Sequence, residues 1–353
     1  MSIIGIPREM KPLEGRVSLV PEACAELGRG GHEVLVETGA GLKAGFPDER
    51  YQRAGARIVA DAARLYREAR VIVKVKEPVN EDLQYLREDH LLFCFLHLAA
   101  NDELTRRLCE IGLTAVAFET VEEDGQLPLL APMSDIAGRL SVQIGTHLLH
   151  QPQGGKGVML GGVAGTRRGH VVVLGAGAAG GSAVAVAASL GARITVFDRR
   201  PERLAAMREI GANVEALYAY SDAVAQAVAE ADLLIGAVLI PGARAERVVS
   251  AEQVAGMQSG SVIVDISVDQ GGCIATTRPT SYDSPTYIAE GVLHFCVTNM
   301  PGGVPRTSTQ ALSAVLLPFV QRLASDDWAQ CQPLIRGINV AGGRLVHPAL
   351  SPG

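Results

Sequence analysis

Short apolar runs alternate with amphipathic stretches along the first third of the chain, and each run is bounded by glycine, proline or charge. Runs at 3–7, 33–37, 71–76, 91–96 and 114–118 read as strands, and 21–28, 62–69 and 102–111 read as the helices between them. That alternation predicts a parallel sheet with helices on its faces. A longer helical segment at 134–150 then leads, through the glycine-rich GGKGVMLGG, into a second series of apolar runs at 171–174, 193–197, 233–238 and 261–266. The central region therefore reads as a further doubly wound sheet. Residues 308–324 return to a helix with one apolar face, placed to fold back on the first domain.

The run VVVLGAGAAGGSA at 171–183 changes this picture most, because a buried strand, a GxGxxG loop and an alanine-rich helix follow one another without a gap. Gly175 permits the tight turn, Gly177 lets backbone approach a pyrophosphate, and Gly180 allows the helix to pack closely on the strand, so phosphates meet a helix N-terminus. The next strand ends in Asp198, near the offset of about 20 residues expected for an acid that binds a ribose 2′-hydroxyl. That acid favours NAD over NADP, while Arg199 and Arg200 directly after it would soften the preference. The expected fold is α/β with two Rossmann-like doubly wound domains. A nucleotide domain at 131–305 would be inserted into a discontinuous catalytic (substrate) domain made of 1–130 and 306–353.

Composition narrows the function classes. The chain has 353 residues, 48% of them hydrophobic and 20% charged, which describes a globular protein with a large core. The formal net charge of -6 comes without any Lys/Arg run, so nucleic acid is not an expected partner. No signal-like leader and no membrane-length apolar run stands out, so a cytoplasmic protein is expected. The six cysteines lack CxxC spacing and sit mostly among apolar neighbours, as buried free thiols do, so neither disulfides nor a metal site is expected. His147 and His150 could share a helix face, but no nearby ligand completes a metal set.

Ligands of doubly wound sheets bind beyond the carboxyl ends of the strands, so polar residues there carry weight. Arg16 follows the first strand, Lys76 ends VIVKVK, His97 follows LLFCFL, and Asp269 lies in the glycine-bounded turn VDQGG. Each alone has a plainer explanation: Arg16 as a helix cap or a partner of Glu14, Lys76 as a solvated strand end, His97 as a satisfied core histidine, Asp269 as a turn residue. Together they match a chemistry. A guanidinium and an ammonium grip a carboxylate, an imidazole moves a proton near neutral pH, and a carboxylate orders water or an ammonium group.

At these residues the chain closely resembles the alanine dehydrogenases, in order and spacing from IGIPREMK to RTSTQAL. The shared blocks include GHEVLVETGAG, VKVKEP, FLHLAA, LPLLAPMSDIAGRL, QGGKGV, GAVLIPGA, VDISVDQGGC and VTNMPGGVPRTST. The resemblance implies reversible oxidative deamination of L-alanine with NAD to pyruvate and ammonia. It implies that Arg16 and Lys76 bind the substrate, that His97 and Asp269 form the catalytic acid/base pair, that Met133 lines the side-chain pocket and that Asn299 sits beside substrate and nicotinamide. For the cofactor it implies Ser134 at the pyrophosphate with Gly175, Gly177, Ala179 and Gly180, Asp198 at the ribose, Arg203 by the adenosine, Leu239 and Ile266 flanking the cofactor through backbone or apolar contacts, and Asp269 among the cofactor-binding residues. It also implies a homo-oligomer, a hexamer. Many members carry Thr, Pro and Asn where this chain has Val20, Ala164 and Ala314, which leaves assembly and exact substrate range open. Two alternatives stand beside this reading: a dehydrogenase of another small amino acid, and a nucleotide-binding subunit like that of proton-pumping transhydrogenases.

Overall fold

Valine, isoleucine and leucine dominate the central strands, because apolar side chains buried on both faces suit a covered parallel sheet. The computed structural model describes residues 1–238 and 245–350. It divides into two units, Met1–Met133 with Gly302–Gly353, and Ser134–Pro301.

The first unit begins with β1 (Ile3–Ile6), α1 (Pro21–Arg29), β2 (Glu33–Glu37), α2 (Asp48–Arg53), β3 (Arg57–Val59), α3 (Ala62–Glu68) and β4 (Val71–Val73). It continues through α4 (Asn80–Leu83), β5 (Leu91–Cys94), α5 (Asp102–Ile111) and β6 (Thr114–Ala117). Local signals set several of these bounds. Pro21 opens α1, the Asp61 carboxylate accepts from Arg64 N–H at the start of α3, and the Asn101 side chain does the same for Leu104 in α5, which Gly112 ends at φ 83°.

Helix α6 (Ala131–Leu148) follows, starting three residues earlier than the sequence pattern suggests. The second unit then contains β7 (His170–Leu174), α7 (Ala178–Ser189), β8 (Arg193–Asp198), α8 (Pro201–Arg208), β9 (Val214–Tyr218), α9 (Ser221–Glu230) and β10 (Leu233–Gly236). It closes with α10 (Ala251–Ala255), β11 (Val262–Asp265), β12 (Thr286–Ala289) and β13 (Val292–Phe295). The chain ends in α11 (Pro305–Leu323), α12 (Gln332–Arg336), β14 (Ile338–Ala341) and β15 (Arg344–Leu345), all in the first unit.

The two sheets share one plan. The first runs β15-β14-β6-β5-β4-β1-β2-β3 and the second β12-β13-β11-β10-β7-β8-β9. In each, the first strand sits inside the sheet, the next two lie on one side of it and the fourth on the other; the pairs along this part are parallel. The connections therefore leave in opposite directions from β1 and β4, and from β7 and β10. These are the switch points at which doubly wound sheets bind ligands. Each sheet finishes on an antiparallel edge, β14 and β15 in the first and β12 in the second. Six thiols are free, four of them buried. Among the described residues no helix is long and apolar enough to cross a membrane.

Candidate active site

In the second unit, β7 ends at Leu174 and the chain turns at Gly175, whose φ of 97° is open to glycine at little cost. A Cβ at Gly175 would lie 2.5 Å from the Ala237 carbonyl oxygen, and one at Gly180 would lie 1.7 Å from the Gly175 oxygen. Helix α7 is thus pressed onto its own loop. A Cβ at Gly177 would meet only the Arg203 guanidinium, 3.5 Å away, so the cradle is open on that side. Gly177 precedes the first turn of α7, Ala179 lies in that turn, and the N–H groups there are the ones a helix offers to phosphate.

The carboxylate of Asp198 closes the cradle. It accepts from Ala176 N–H at 2.7 Å and from Arg200 N–H at 2.9 Å, and Arg203 Nη1 stands 3.6 Å away. Arg199, next to this acid, is turned outward into a two-bond pair with Glu246 at 2.8 and 3.0 Å. Ser134 is half-buried in α6, one residue before Asp135, whose carboxylate accepts from Ser182 on α7 at 2.5 Å. A Cβ at Gly138 of α6 would lie 2.0 Å from the Ala179 oxygen, so α6 and α7 pack backbone to backbone.

The strand end of β11 holds a buried carboxylate that sequence reasoning passed over. Asp265 is fully buried and accepts from Ser267 N–H, Cys273 N–H and the Thr277 hydroxyl at 3.0, 3.1 and 2.7 Å. Burial pushes its carboxyl above the ordinary range against the pull of these donors. The result is a pinned turn, with Ile266 and exposed Asp269 in a short 3₁₀ segment and Gly271 and Gly272 at φ 94° and 76°. Asn299, after β13, adopts φ 61° and directs its N–H toward Asp269 Oδ2 at 3.4 Å. Leu239 lies outside the described residues.

In the first unit, Arg16 is buried at 2% exposure and forked onto Glu14, with Nε to Oε1 at 2.8 Å and Nη2 to Oε2 at 2.5 Å. Its Nη1 also reaches the Met133 sulfur at 3.2 Å. The pairing with Glu14 that the sequence allowed is therefore present. Lys76 is 8% exposed, not a solvated strand end. The expected strand 71–76 leaves regular pairing after Val73, because the Glu9 carboxylate takes the N–H groups of Val75 and Lys76 at 2.6 and 3.3 Å. Glu9 is in turn held by buried Lys74, which also meets Asp82 at 3.2 Å. Burial pushes the Lys74 ammonium down, but Glu9 and Asp82 more than offset it.

The expected strand 91–96 likewise stops at Cys94. The Glu119 carboxylate, beyond β6, accepts from Leu96 N–H at 3.1 Å and His97 N–H at 2.6 Å, and His97 turns to φ 52°. A non-glycine residue held there stores strain that the surrounding contacts must sustain. His97 is 41% exposed at its side chain and tilts against Phe95, so it is not a core histidine. Its Nδ1 lies 3.8 Å from Glu77 Oε2, while Lys76 Nζ lies 3.9 Å from the same oxygen and Lys11 pairs with Oε1.

In each unit these residues follow strands at or beside its switch point: Arg16 after β1, Lys76 after β4 and His97 after β5 in the first, with Met133 against Arg16, and the glycine loop after β7, Asp198 at the end of β8 and Asp269 after β11 in the second, with Arg203 near Asp198 and Asn299 near Asp269. Glu9, Glu77, Glu119 and Asp265 were missed by sequence reasoning. The only trace of them in the sequence is that an acid follows, or stands near, an apolar run.

Two family models match: the alanine dehydrogenase/PNT N-terminal domain over residues 5–137 and the C-terminal domain of the same family over residues 141–348. Alanine dehydrogenase of Bacillus subtilis is 46% identical, with 99% of this chain and 94% of the relative covered. That of Methanococcus maripaludis is 44% identical, covering 99% and 95%. Among solved structures, an L-alanine dehydrogenase matches with a TM-score of 0.94 and 50% identity over 99% of this chain and 98% of the other. A transhydrogenase from Sinorhizobium meliloti matches with a TM-score of 0.84 and 28% identity over 98% and 99%. With both halves of the family matched in order along almost the whole chain, this protein belongs to the alanine dehydrogenase/PNT family.

Proposed function

We propose that the protein is an NAD-dependent alanine dehydrogenase, which converts L-alanine, NAD and water reversibly to pyruvate, ammonia and NADH. The observation that carries this reading is the set of a guanidinium, an ammonium and an imidazole at the strand ends of one unit, with a glycine cradle and an acid at those of the other. The cradle fits a dinucleotide: Gly177 leaves room for a pyrophosphate, and the first turn of α7 supplies N–H groups. Asp198 has lone pairs beyond its two backbone bonds for ribose hydroxyls. When bound, the nicotinamide supplies the hydride acceptor.

The chain's own residues do the rest. Arg16, set by Glu14 along its Nε/Nη2 edge, turns its Nη1/Nη2 edge to the substrate carboxylate. Lys76 adds a point charge toward the oxo or amino end. Met133, in contact with Arg16, offers an apolar neighbour suited to a methyl group. His97 moves the proton between substrate and water, and Asp269 orders water or steadies the cationic nitrogen as the imine is hydrated and ammonia leaves. Asn299 holds the turn beside Asp269.

The test is NADH formation by the purified protein from L-alanine and NAD, with a panel of other small amino acids and a thionicotinamide transhydrogenation assay alongside. Turnover with alanine well above the panel supports the reading. Activity only with another amino acid, or only between nucleotides, overturns it. His97→Ala should lower turnover by roughly 10²-fold or more while leaving NADH binding nearly intact. A hexamer working in the cytoplasm belongs to the same reading. Six free thiols suit a reducing compartment, and light scattering on the eluted protein measures the assembly.

A further inference from the structure

Glu77 Oε2 is buried and makes no hydrogen bond, which is costly for a carboxylate oxygen and calls for an explanation. Its surroundings supply one. His97 Nδ1 and Lys76 Nζ stand 3.8 and 3.9 Å away, beyond hydrogen-bond length but close enough that a small rotation of the imidazole closes the gap. Catalytic hydrogen bonds are often long without substrate and tighten when it binds. Oε1 cannot swing away to relieve the vacancy, because Lys11, on the segment after β1, holds it.

We propose that Glu77 is a positioning residue for His97: its Oε2 takes the Nδ1–H bond when substrate arrives, fixing the tautomer so that Nε2 is the atom that exchanges the working proton. This rests on the assignment of His97 as the acid/base group. No proton passes to Glu77. Burial raises the Glu77 carboxyl, but His97, Lys76 and Lys11 together hold it well below the usual carboxylate range, so the Nδ1 proton stays on the ring. Two carboxylates face this part of the chain, Glu77 at the imidazole and Glu119, which is bonded to the His97 backbone. Lys11 and Lys76 oppose both. The buried Lys74 and Glu9 lie on the β4 side, and His347 faces Glu119.

The test follows the His97 imidazole directly, without activity. Diethyl pyrocarbonate acylates the neutral ring, and mass spectrometry of the His97 peptide across pH gives its midpoint in the NADH-bound protein. Glu77→Gln keeps the shape and removes the charge, so the midpoint should fall by about one pH unit. At pH 7.5 the catalytic efficiency for pyruvate should fall about tenfold, the same unit read as a rate. Glu77→Asp should restore most of the midpoint. Lys11→Met removes a cation and should move it the other way, upward. A merely structural role moves neither midpoint, or moves both in one direction, and either result overturns the proposal. If the parent shows no alanine activity but the midpoints shift as stated, the functional assignment fails and the positioning stands. Alanine activity with an unmoved midpoint in folded Glu77→Gln sinks the positioning alone.

Discussion

Arg16→Lys separates charge from geometry, because both residues carry one positive charge but only arginine carries a fork. The native side chain makes two bonds to Glu14, at 2.8 and 2.5 Å, and a third contact to the Met133 sulfur at 3.2 Å. A lysine ammonium is a point donor and keeps at most one of the two carboxylate bonds in that geometry. A hydrogen bond to a charged group is worth about 1.5–3 kcal/mol, so stability should drop by that amount. Glu14 is only 1% exposed and cannot recover the loss from water. The cost stays below the roughly 3–5 kcal/mol of Arg16→Met, which takes the guanidinium away from the buried acid while the Arg16 backbone N–H still donates to it. On the substrate side, loss of the planar fork should raise the KM for pyruvate at least tenfold, about 1.4 kcal/mol. Since the nucleotide cradle is made by the other unit, NADH affinity should hold within about twofold. Urea unfolding at constant slope gives the first quantity, steady-state kinetics the second and fluorescence titration the third. A lysine variant that loses stability but keeps its pyruvate KM would show that Arg16 holds the fold and not the substrate. Unchanged values on both counts would refute the two-bond clamp itself.

Asp198→Asn keeps the bonds to Ala176 and Arg200 within reach but removes the charge, so NAD should lose its lead over NADP by about tenfold in catalytic efficiency; an unaltered preference in competing-cofactor assays would remove Asp198 from the ribose site. Gly180→Ala places a methyl 1.7 Å from a carbonyl oxygen that no rotamer can move, so it should cost about 1–3 kcal/mol and weaken NADH at least tenfold, measured by unfolding and titration. Burial pushes the His170 imidazole below its ordinary value, aided by Arg193. The unfolded chain then binds more protons just below pH ~6.5, so stability is full above that pH and falls as the pH drops through the window. His170→Gln should flatten the melting temperature between about pH 6.5 and 5, and an equally steep decline in the variant would assign the effect to other buried histidines.

The sequence patterns were most informative where a strand is buried on both faces. The apolar runs of β1, β5, β7 and β11 stand out because consecutive residues, not alternate ones, are apolar, with only His170 at the start of β7 and Asp265 at the end of β11 breaking the pattern. Edge strands were less visible. β3 is three residues long, and β9, VEALY, buries only its first residue, as suits the rim of a sheet. Two hairpins were legible but passed over: Glu290 and Gly291 join β12 to β13 with φ of 53° and 73°, and Gly342 and Gly343 join β14 to β15 with 54° and 75°. The strand ends near the first-unit site were misjudged for a different reason. Hydropathy carries Val71 on to Lys76 and Leu91 on to Leu96, yet the carboxylates that stop these strands come from distant segments. Glu9 is 66 residues from Val75 and Glu119 is 23 from Leu96. Residue types at the site could be read locally, while the acids that fix their backbone are tertiary and leave no local pattern.

Both sheets repeat one winding order, yet they use the slot after their first strand differently. After β7 the chain enters α7 within four residues through Gly175, where a side chain would collide with the Ala237 carbonyl. After β1, residues 7–20 intervene before α1, and this stretch carries the arginine and its acid. On the function proposed above, one copy of the plan meets its anion with backbone, the other with side chains. A backbone receptor cannot be edited by changing an amino acid without breaking the turn, whereas a side-chain receptor can be rewritten one codon at a time. On that reading the architecture divides evolvability unequally: the choice of acid substrate is open to drift and selection, while the means of holding the nucleotide is frozen into the shape of the chain.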